Sequence, residues 1–198
     1  IMKIFYIGAR IVGYNTLQSL LENNFNITGA LILDDSKEKI TVAHKKFDDL
    51  VSNYNIPTKK FTSLKTNEYD EWIESLNPDI GLIIGVSNLI PNSKLKIPKM
   101  GFIGMHPTLL PIGRGRAPIP WTIIKGLKKS GTTLFKCESD ADSGKIIAQK
   151  EYPVFYEDTC LTLGKRSDNA VIELLINSLD DYYLGKTNLK DQDENLAT

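Results

Sequence analysis

An α/β fold built on a parallel sheet is what this 198-residue sequence predicts, and three observations predict it. The first is a strand, helix, strand alternation at the start. An apolar, β-rich run covers residues 3–7 (KIFYI), Leu17, Leu20 and Leu21 recur at helical spacing, and a second apolar run covers 26–33 (NITGALIL). The second is the run 79–86 (DIGLIIGV), apolar enough to be a strand covered on both faces. The third is 101–105 (GFIGM), a further strand that opens into His106-Pro107 and a loop rich in Gly and Pro. Strands alternating with helices imply parallel neighbours joined by right-handed crossovers.

The other elements follow in order. Gly8-x4-Gly13 lacks the G-x-G-x-x-G spacing of a dinucleotide fingerprint and reads first as a tight strand-to-helix turn. Arg10 keeps a phosphate-binding reading beside it, because it sits at the carboxyl end of a strand, the edge where open α/β sheets bind ligands. Phe47, Leu50 and Val51 are spaced i, i+3, i+4 and predict a helix within the polar stretch 37–54, where His44 reads as a solvated surface residue. Residues 69–76 give another short helix, ended by Asn77-Pro78. Residues 118–125 suit a helix with proline near its start. Residues 131–136 and 145–152 read as two strands, with Asp142-Ser143-Gly144 turning between them. The longest helical pattern is 159–184, with Leu161, Ala170, Ile172, Leu175, Ile176 and Leu179 as expected core positions. One catalytic domain over 1–184 and a polar tail over 185–198 is the expected organisation.

Composition narrows the function. Lys plus Arg number 24 and Asp plus Glu 24, and this zero net charge argues against a general polyanion binder. No apolar run reaches the roughly 18–20 residues that span a bilayer. No charged-then-apolar leader opens the chain. Cys137 and Cys160 do not suggest a disulfide framework, and no metal-ligand cluster stands out. The expectation is a cytoplasmic protein with no metal, no membrane partner and no nucleic-acid partner.

The stretch that carries chemistry is 101–149. His106 is one of only two histidines, and Gly, Pro and Arg surround it. The segment GFIGMHPTLLPIGRGRAPIPW, with GTTLFKCESDADSGKIIAQ after it, closely resembles the folate-dependent formyltransferases. That family includes glycinamide ribonucleotide transformylase, methionyl-tRNA formyltransferase and the nucleotide-sugar N-formyltransferases. The resemblance runs over nearly the whole chain, including the preceding IIGVSNLIP. It implies a Rossmann-like formyltransferase fold, mostly parallel sheet flanked by helices, and transfer of a formyl group from 10-formyltetrahydrofolate to an amine. Such a reaction needs donors placed where an oxyanion develops, and a titratable group to move a proton. By motif position, His106 matches the family's catalytic histidine and Asp142 its catalytic aspartate. On composition alone Asp142 would read as a turn residue. The resemblance also implies folate contacts at Ser87, Asn88, Leu89 and Ile90, and at Thr108, Leu109, Leu110 and Pro111. The leucines among them read equally well as core.

One position departs from the family. The pattern there is Asn-x-His, with the asparagine amide as a second oxyanion donor, whereas this chain has Gly104-Met105-His106. Losing such a donor costs on the order of 10²–10³ in rate. Asn88 substituting, a water filling the space, or a weakened or repurposed member are the three explanations open at this point. The loop PIGRGRAPIPW resembles sugar formyltransferases more than the purine enzyme. Arg114 and Arg116 either bind phosphate bidentately or pin loop carbonyls. The expected acceptor is therefore a nucleotide-linked amino sugar, for example a dTDP-4-amino-4,6-dideoxyhexose destined for surface polysaccharide. A homodimer stays open. The alternatives are a methionyl-tRNA or glycinamide ribonucleotide formyltransferase, or a catalytically impaired, formyltransferase-like binding protein, which Gly104 favours. Gln192-Asp193-Glu194-x-x-Ala197-Thr198 resembles a segment that leads into further C-terminal sequence in the tRNA and sugar enzymes, so the tail reads as leading toward a region absent from this chain.

Overall fold

The computed structural model describes residues 1–87 and 89–198, so Asn88 lies outside the described residues. In chain order the elements are β1 (Ile4–Gly8), α1 (Arg10–Glu22), β2 (Ile27–Leu33), α2 (Asp48–Asn53), β3 (Thr58–Phe61), α3 (Asp70–Ser75), β4 (Ile80–Ile84), α4 (Asn92–Leu95), β5 (Phe102–His106), α5 (Pro118–Ile124), β6 (Lys129–Lys136), β7 (Ile146–Pro153) and α6 (Cys160–Tyr183). Short 3-10 turns occur at Asp35–Ile40 and Glu194–Leu196. The fold is α/β, a mostly parallel seven-stranded sheet in the order β3-β2-β1-β4-β5-β6-β7 with flanking helices. The chain divides into two compact units, Ile1–Ile103 and Gly104–Thr198.

In the first unit β1 pairs in parallel with β2 on one side and β4 on the other, and β3 adds to β2. Every residue of β1 is buried, as expected of a parallel strand covered on both faces. The turn out of β1 depends on close approach. A Cβ on Gly13 would lie 2.9 Å from the Ile84 carbonyl oxygen, so glycine lets α1 pass the end of β4. Tyr6 reinforces this packing by donating its hydroxyl to the Gly13 carbonyl at 2.7 Å. Asp79 anchors the entry to β4, accepting from the Lys3 amide at 2.8 Å and from Lys99 Nζ at 2.8 Å. The Lys99 ammonium, with the Lys3 amide, holds this carboxyl below the usual carboxylate range. Lys94, fully buried, donates to Asp70 and pins α4 to the start of α3.

Two elements of this unit lacked an apolar signature. The strand β3 (TKKF) buries only Phe61 fully and exposes both lysines, the composition of a protected sheet edge. The helix α4 is a single turn that Lys94 holds in place. His44 also differs from expectation. Its side chain is only 6% exposed, and Nε2 lies 2.9 Å from Asp35 Oδ1. Asp35 also pairs with Lys60, so a local ionic cluster takes the imidazole out of solvent.

In the second unit β6 and β7 form an antiparallel pair running from Lys129↔Pro153 to Phe135↔Ile146. Thr159 caps α6 with a reciprocal capping box, each of Thr159 and Thr162 receiving the other's backbone N–H on its hydroxyl. Such a cap is worth about 1 kcal/mol. The helix buries Leu163, Ser167, Ala170, Val171, Leu175, Leu179 and Tyr182. Leu161, expected in the core, is exposed instead, because it sits roughly 200° around the helix from Leu163. Ile172 and Ile176 border the stripe and are half-buried. Ser167, Thr132 and Tyr152 form a buried, mutually bonded polar network, which Tyr152 completes by donating to the Gly131 carbonyl. Residues 185–198 belong to this unit: Lys190 and Ile146 exchange backbone hydrogen bonds of 2.8 and 3.0 Å beside β7. No helix among the described residues is long and apolar enough to cross a membrane.

Candidate active site

The strand β5 ends on His106, one residue later than the sequence suggested, and the loop after it is stapled to β6 and β7. Thr133 Oγ1 donates to the Thr108 carbonyl at 2.7 Å and accepts from the Leu110 amide at 3.1 Å. Gln149 Nε2 donates to the Leu110 carbonyl at 2.9 Å and to Thr133 Oγ1 at 2.8 Å. Leu110 packs with Phe135 and Ile146, so its side chain belongs to the core. Thr108 turns inward and donates to the Ile112 carbonyl at 2.7 Å. Leu109 remains half-buried, and Pro111 follows through a cis peptide bond.

This anchored loop holds His106 and Asp142 together. His106 is buried, and its Nε2 donates to the Gly113 carbonyl at 2.8 Å. Its Nδ1 faces Asp142 Oδ1 at 3.5 Å, an ion-pair distance rather than a tight hydrogen bond. The other carboxylate oxygen of Asp142 accepts from the Gly115 amide at 3.0 Å. Residues 113–115 therefore touch both members of the pair, one through a carbonyl and the other through an amide. Asp142 itself sits at φ 56°, in the left-handed region that few side chains adopt without support. Such outliers are held by their surroundings and concentrate at functional sites.

Gly104 lies two residues before His106, and the space where its side chain would go is filled. A Cβ there would meet Cys137 Sγ at 2.8 Å and Phe135 Cζ at 3.2 Å. Burial, with the negative charge of Asp142, pushes the Cys137 thiol up to about 12, so it stays neutral. A sulfur and a ring edge thus crowd the first atom of any side chain at position 104. Asn88, the other candidate donor, lies outside the described residues.

Arg114 makes no open phosphate fork. Its guanidinium donates to Gln192 Oε1 through Nε and Nη2, at 3.2 and 2.8 Å, and to Glu194 through Nη1 and Nη2, at 2.8 and 2.7 Å. Glu194 raises the guanidinium's hold on its proton, and is itself held below its usual range by it. Arg116 is exposed and lines a cavity of about 500 Å³ with Leu109, Ile112, Trp121, Lys125 and Lys129. In the first unit, a cavity of about 330 Å³ lies at the carboxyl ends of β1 and β4, lined by Arg10, Lys37 and Ser87 among others. There Arg10, at φ 62°, donates from Nη2 to Ser87 Oγ at 2.8 Å. Leu89 is exposed and Ile90 buried.

The sequence reading missed the residues that hold the pair. Thr133, Gln149 and Gln192 act on backbone groups 25 to 50 residues away, which no local spacing marks, and Gly113 and Gly115 act through their own backbone, which their residue type does not reveal. Gln192 was visible only as part of a segment that resembles relatives.

A buried histidine at the carboxyl end of a sheet strand, facing a half-buried aspartate from a turn, is an arrangement suited to acid–base chemistry in an α/β protein. The family model for formyl transferases matches residues 2–179, and the chain belongs to that family. Methionyl-tRNA formyltransferase of Thermotoga maritima is 29% identical over 199 residues, an overlap that covers 100% of this chain and 64% of that protein. The chain thus spans less than two thirds of that curated relative. The N-formyltransferase from Helicobacter canadensis, solved in complex with folinic acid and dTDP-3-aminofucose, superimposes with a TM-score of 0.78 at 18% identity, covering 100% of this chain and 70% of that one. Glycinamide ribonucleotide transformylase 1 from Symbiobacterium toebii gives a TM-score of 0.80 at 16% identity, covering 98% of this chain and 95% of that one. At such identities the two structures speak for the fold alone.

Proposed function

We propose that this chain carries the catalytic part of an enzyme that moves a formyl group from 10-formyltetrahydrofolate to the amine of a nucleotide-linked amino sugar, such as a dTDP-4-amino-4,6-dideoxyhexose. The observation that carries the reading is the pair of the buried His106 and the half-buried Asp142, held by a carbonyl and an amide of the 113–115 backbone in a chain of the formyl transferase family.

The donor, when bound, supplies an activated formyl carbon. The residues assigned to it by motif position fall in two segments, one in each unit. After β4 these are Ser87, Ile90 and the exposed Leu89, with Asn88 assigned by motif position. After β5 they are Thr108, the half-buried Leu109, and the backbone of Leu110 and Pro111. The apolar surface and anchored backbone there suit a flat heteroaromatic group. As the acceptor amine attacks, the formyl oxygen gains negative charge. His106 donates to that oxygen from the nitrogen that Gly113 otherwise occupies. Asp142, facing the other ring nitrogen, orients the imidazole and helps carry the proton that the amine loses to the folate nitrogen, which leaves as tetrahydrofolate when its bond to the formyl carbon breaks. Gly104 contributes no donor of its own.

For the acceptor, Arg116 in the cavity of the second unit and Arg10, bonded to Ser87 in the cavity of the first, are each assigned as a phosphate contact, whereas Arg114 is engaged by Gln192 and Glu194. The balance of 24 basic against 24 acidic residues lacks the surplus on which RNA binding relies, which supports a small acceptor. A second reading, methionyl-tRNA as acceptor, is favoured by the 29% identity to the Thermotoga maritima enzyme over the whole chain. Release of tetrahydrofolate from 10-formyltetrahydrofolate, measured with aminosugar nucleotides, glycinamide ribonucleotide and charged initiator tRNA in parallel, separates the readings. Turnover with a sugar nucleotide is the expected result. Turnover with tRNA alone replaces the acceptor, and turnover with none of them leaves a binding protein.

A further inference from the structure

We infer that Gln192 is a positioning residue that acts through Asp142, an inference that rests on the reading of His106 and Asp142 as the reacting pair. Gln192 lies 50 residues from Asp142 in sequence, within the segment that looked like a polar tail. Its Nε2 donates to the carbonyls of Asp142 and Gly144, both at 2.8 Å. Its Oε1 accepts from Arg114 Nε and Nη2. A side-chain amide has two N–H donors and two acceptor lone pairs, and here all four are used.

What those bonds hold is an unusual turn. Asp142 is left-handed, and a Cβ on Gly144 would collide with the Lys136 carbonyl, so residue 144 must be glycine. Gln192 fastens the turn's two outer carbonyls and, through Arg114, the loop whose Gly113 and Gly115 meet His106 and Asp142. The same loop is tied to the chain end, with the Gly113 amide donating to Thr198 Oγ1 and the Arg114 amide to the Thr198 carbonyl, both at 2.9 Å. One side chain therefore couples the carboxylate's turn to the loop that both reacting groups touch. Its loss would let the carboxylate drift from the ring, while Glu194 still holds Arg114 at the wall of the cavity in this unit.

The test compares Gln192→Ala, Gln192→Glu, Asp142→Asn and the double variant Gln192→Ala/Asp142→Asn. Glutamate keeps the size and the acceptor for Arg114 but loses both donors. Turnover is read with 10-formyltetrahydrofolate and dTDP-4-amino-4,6-dideoxyglucose. The ring signals of His106 are read by ¹H–¹⁵N NMR without any acceptor; the chain has two histidines, so a His44→Gln variant assigns them. Both single Gln192 variants should lower kcat about 10–100-fold while KM stays within about twofold. Both should shift the His106 signals in the direction that Asp142→Asn shifts them. The double variant should be no slower than Asp142→Asn alone. Unmoved His106 signals in Gln192→Ala, or full activity in Gln192→Glu, overturns the inference. Wild-type turnover in Asp142→Asn overturns the reaction reading instead, while the NMR result still reports on Gln192. Gln192→Glu serves if the alanine variant does not fold.

Discussion

The carboxyl end of β1 and the carboxyl end of β5 both present polar side chains, but they are held very differently. At β1, Arg10 reaches Ser87 through one guanidinium nitrogen and otherwise lines a cavity. At β5, His106 and Asp142 meet backbone groups of one loop, and that loop is tied to Thr133, Gln149, Gln192 and Thr198. The contrast is the one expected of the two proposed tasks. A group that recognises a ligand must exchange water for it and keeps its donors available. A group that stabilises developing charge works best when its geometry is fixed before the reaction.

The largest effect should come from the fixed region. His106→Ala and Asp142→Asn should each lower kcat by about 10²–10⁴ with the circular dichroism of the native fold retained. Tetrahydrofolate release measures this. Wild-type turnover in either variant would remove the reaction from β5 and dissolve the comparison.

The next effect tests how tightly that region is packed. Gly104→Asn forces a side chain into Cys137 Sγ and should destabilise the protein by about 1–3 kcal/mol in urea unfolding. Cys137→Ala should relieve most of this in the double variant. In that background the rate reports whether an amide at position 104 serves as a donor. A rate unchanged from Cys137→Ala would mean that His106 works without one.

How much of this was legible depends on distance along the chain. The strands β1, β4 and β5 showed as apolar runs because burial on both faces leaves an unbroken local signal. The edge strand β3 did not, since its lysines face solvent. The stripe of α6 was read with Leu161 in it because its first turn is apolar in sequence, though it points away from the core. His106 and Asp142 stood out through motif resemblance. Thr133, Gln149 and Gln192 did not, because their partners lie 25, 39 and 50 residues away and are backbone carbonyls, which carry no residue-type signature.

A smaller effect belongs to the open region. Arg10→Ala should raise KM for a phosphate-bearing acceptor about tenfold, roughly the loss of one exposed charge-assisted contact, and leave kcat nearly unchanged. Steady-state kinetics against acceptor concentration read this directly. A drop in kcat with KM unchanged would place Arg10 in the reaction rather than in recognition.

The smallest effect sets two aspartates against each other. In the first unit Lys60, together with His44, holds Asp35 below its ordinary range. Its stabilising contribution is present above the unfolded value of 3.8 and is lost as pH falls through its folded value. In the second unit, burial alone pushes Asp168, on α6, from 3.8 up to about 6. The folded state then binds a proton that the unfolded state has released, so stability falls as pH rises from about 4 to about 6 and stays lower above that. The full shift corresponds to about 3 kcal/mol, and solvent screening of a half-buried group reduces this to about 1–2. Asp168→Asn removes the penalty. Its melting temperature at pH 7.5 should exceed wild type by about 2–6 °C, with the difference vanishing near pH 4. Equal melting curves at both pH values would mean that Asp168 finds solvent or a partner, and that the second unit's core leaves no charge uncompensated. A loss of stability on substitution would show instead that the carboxylate itself holds α6 in place.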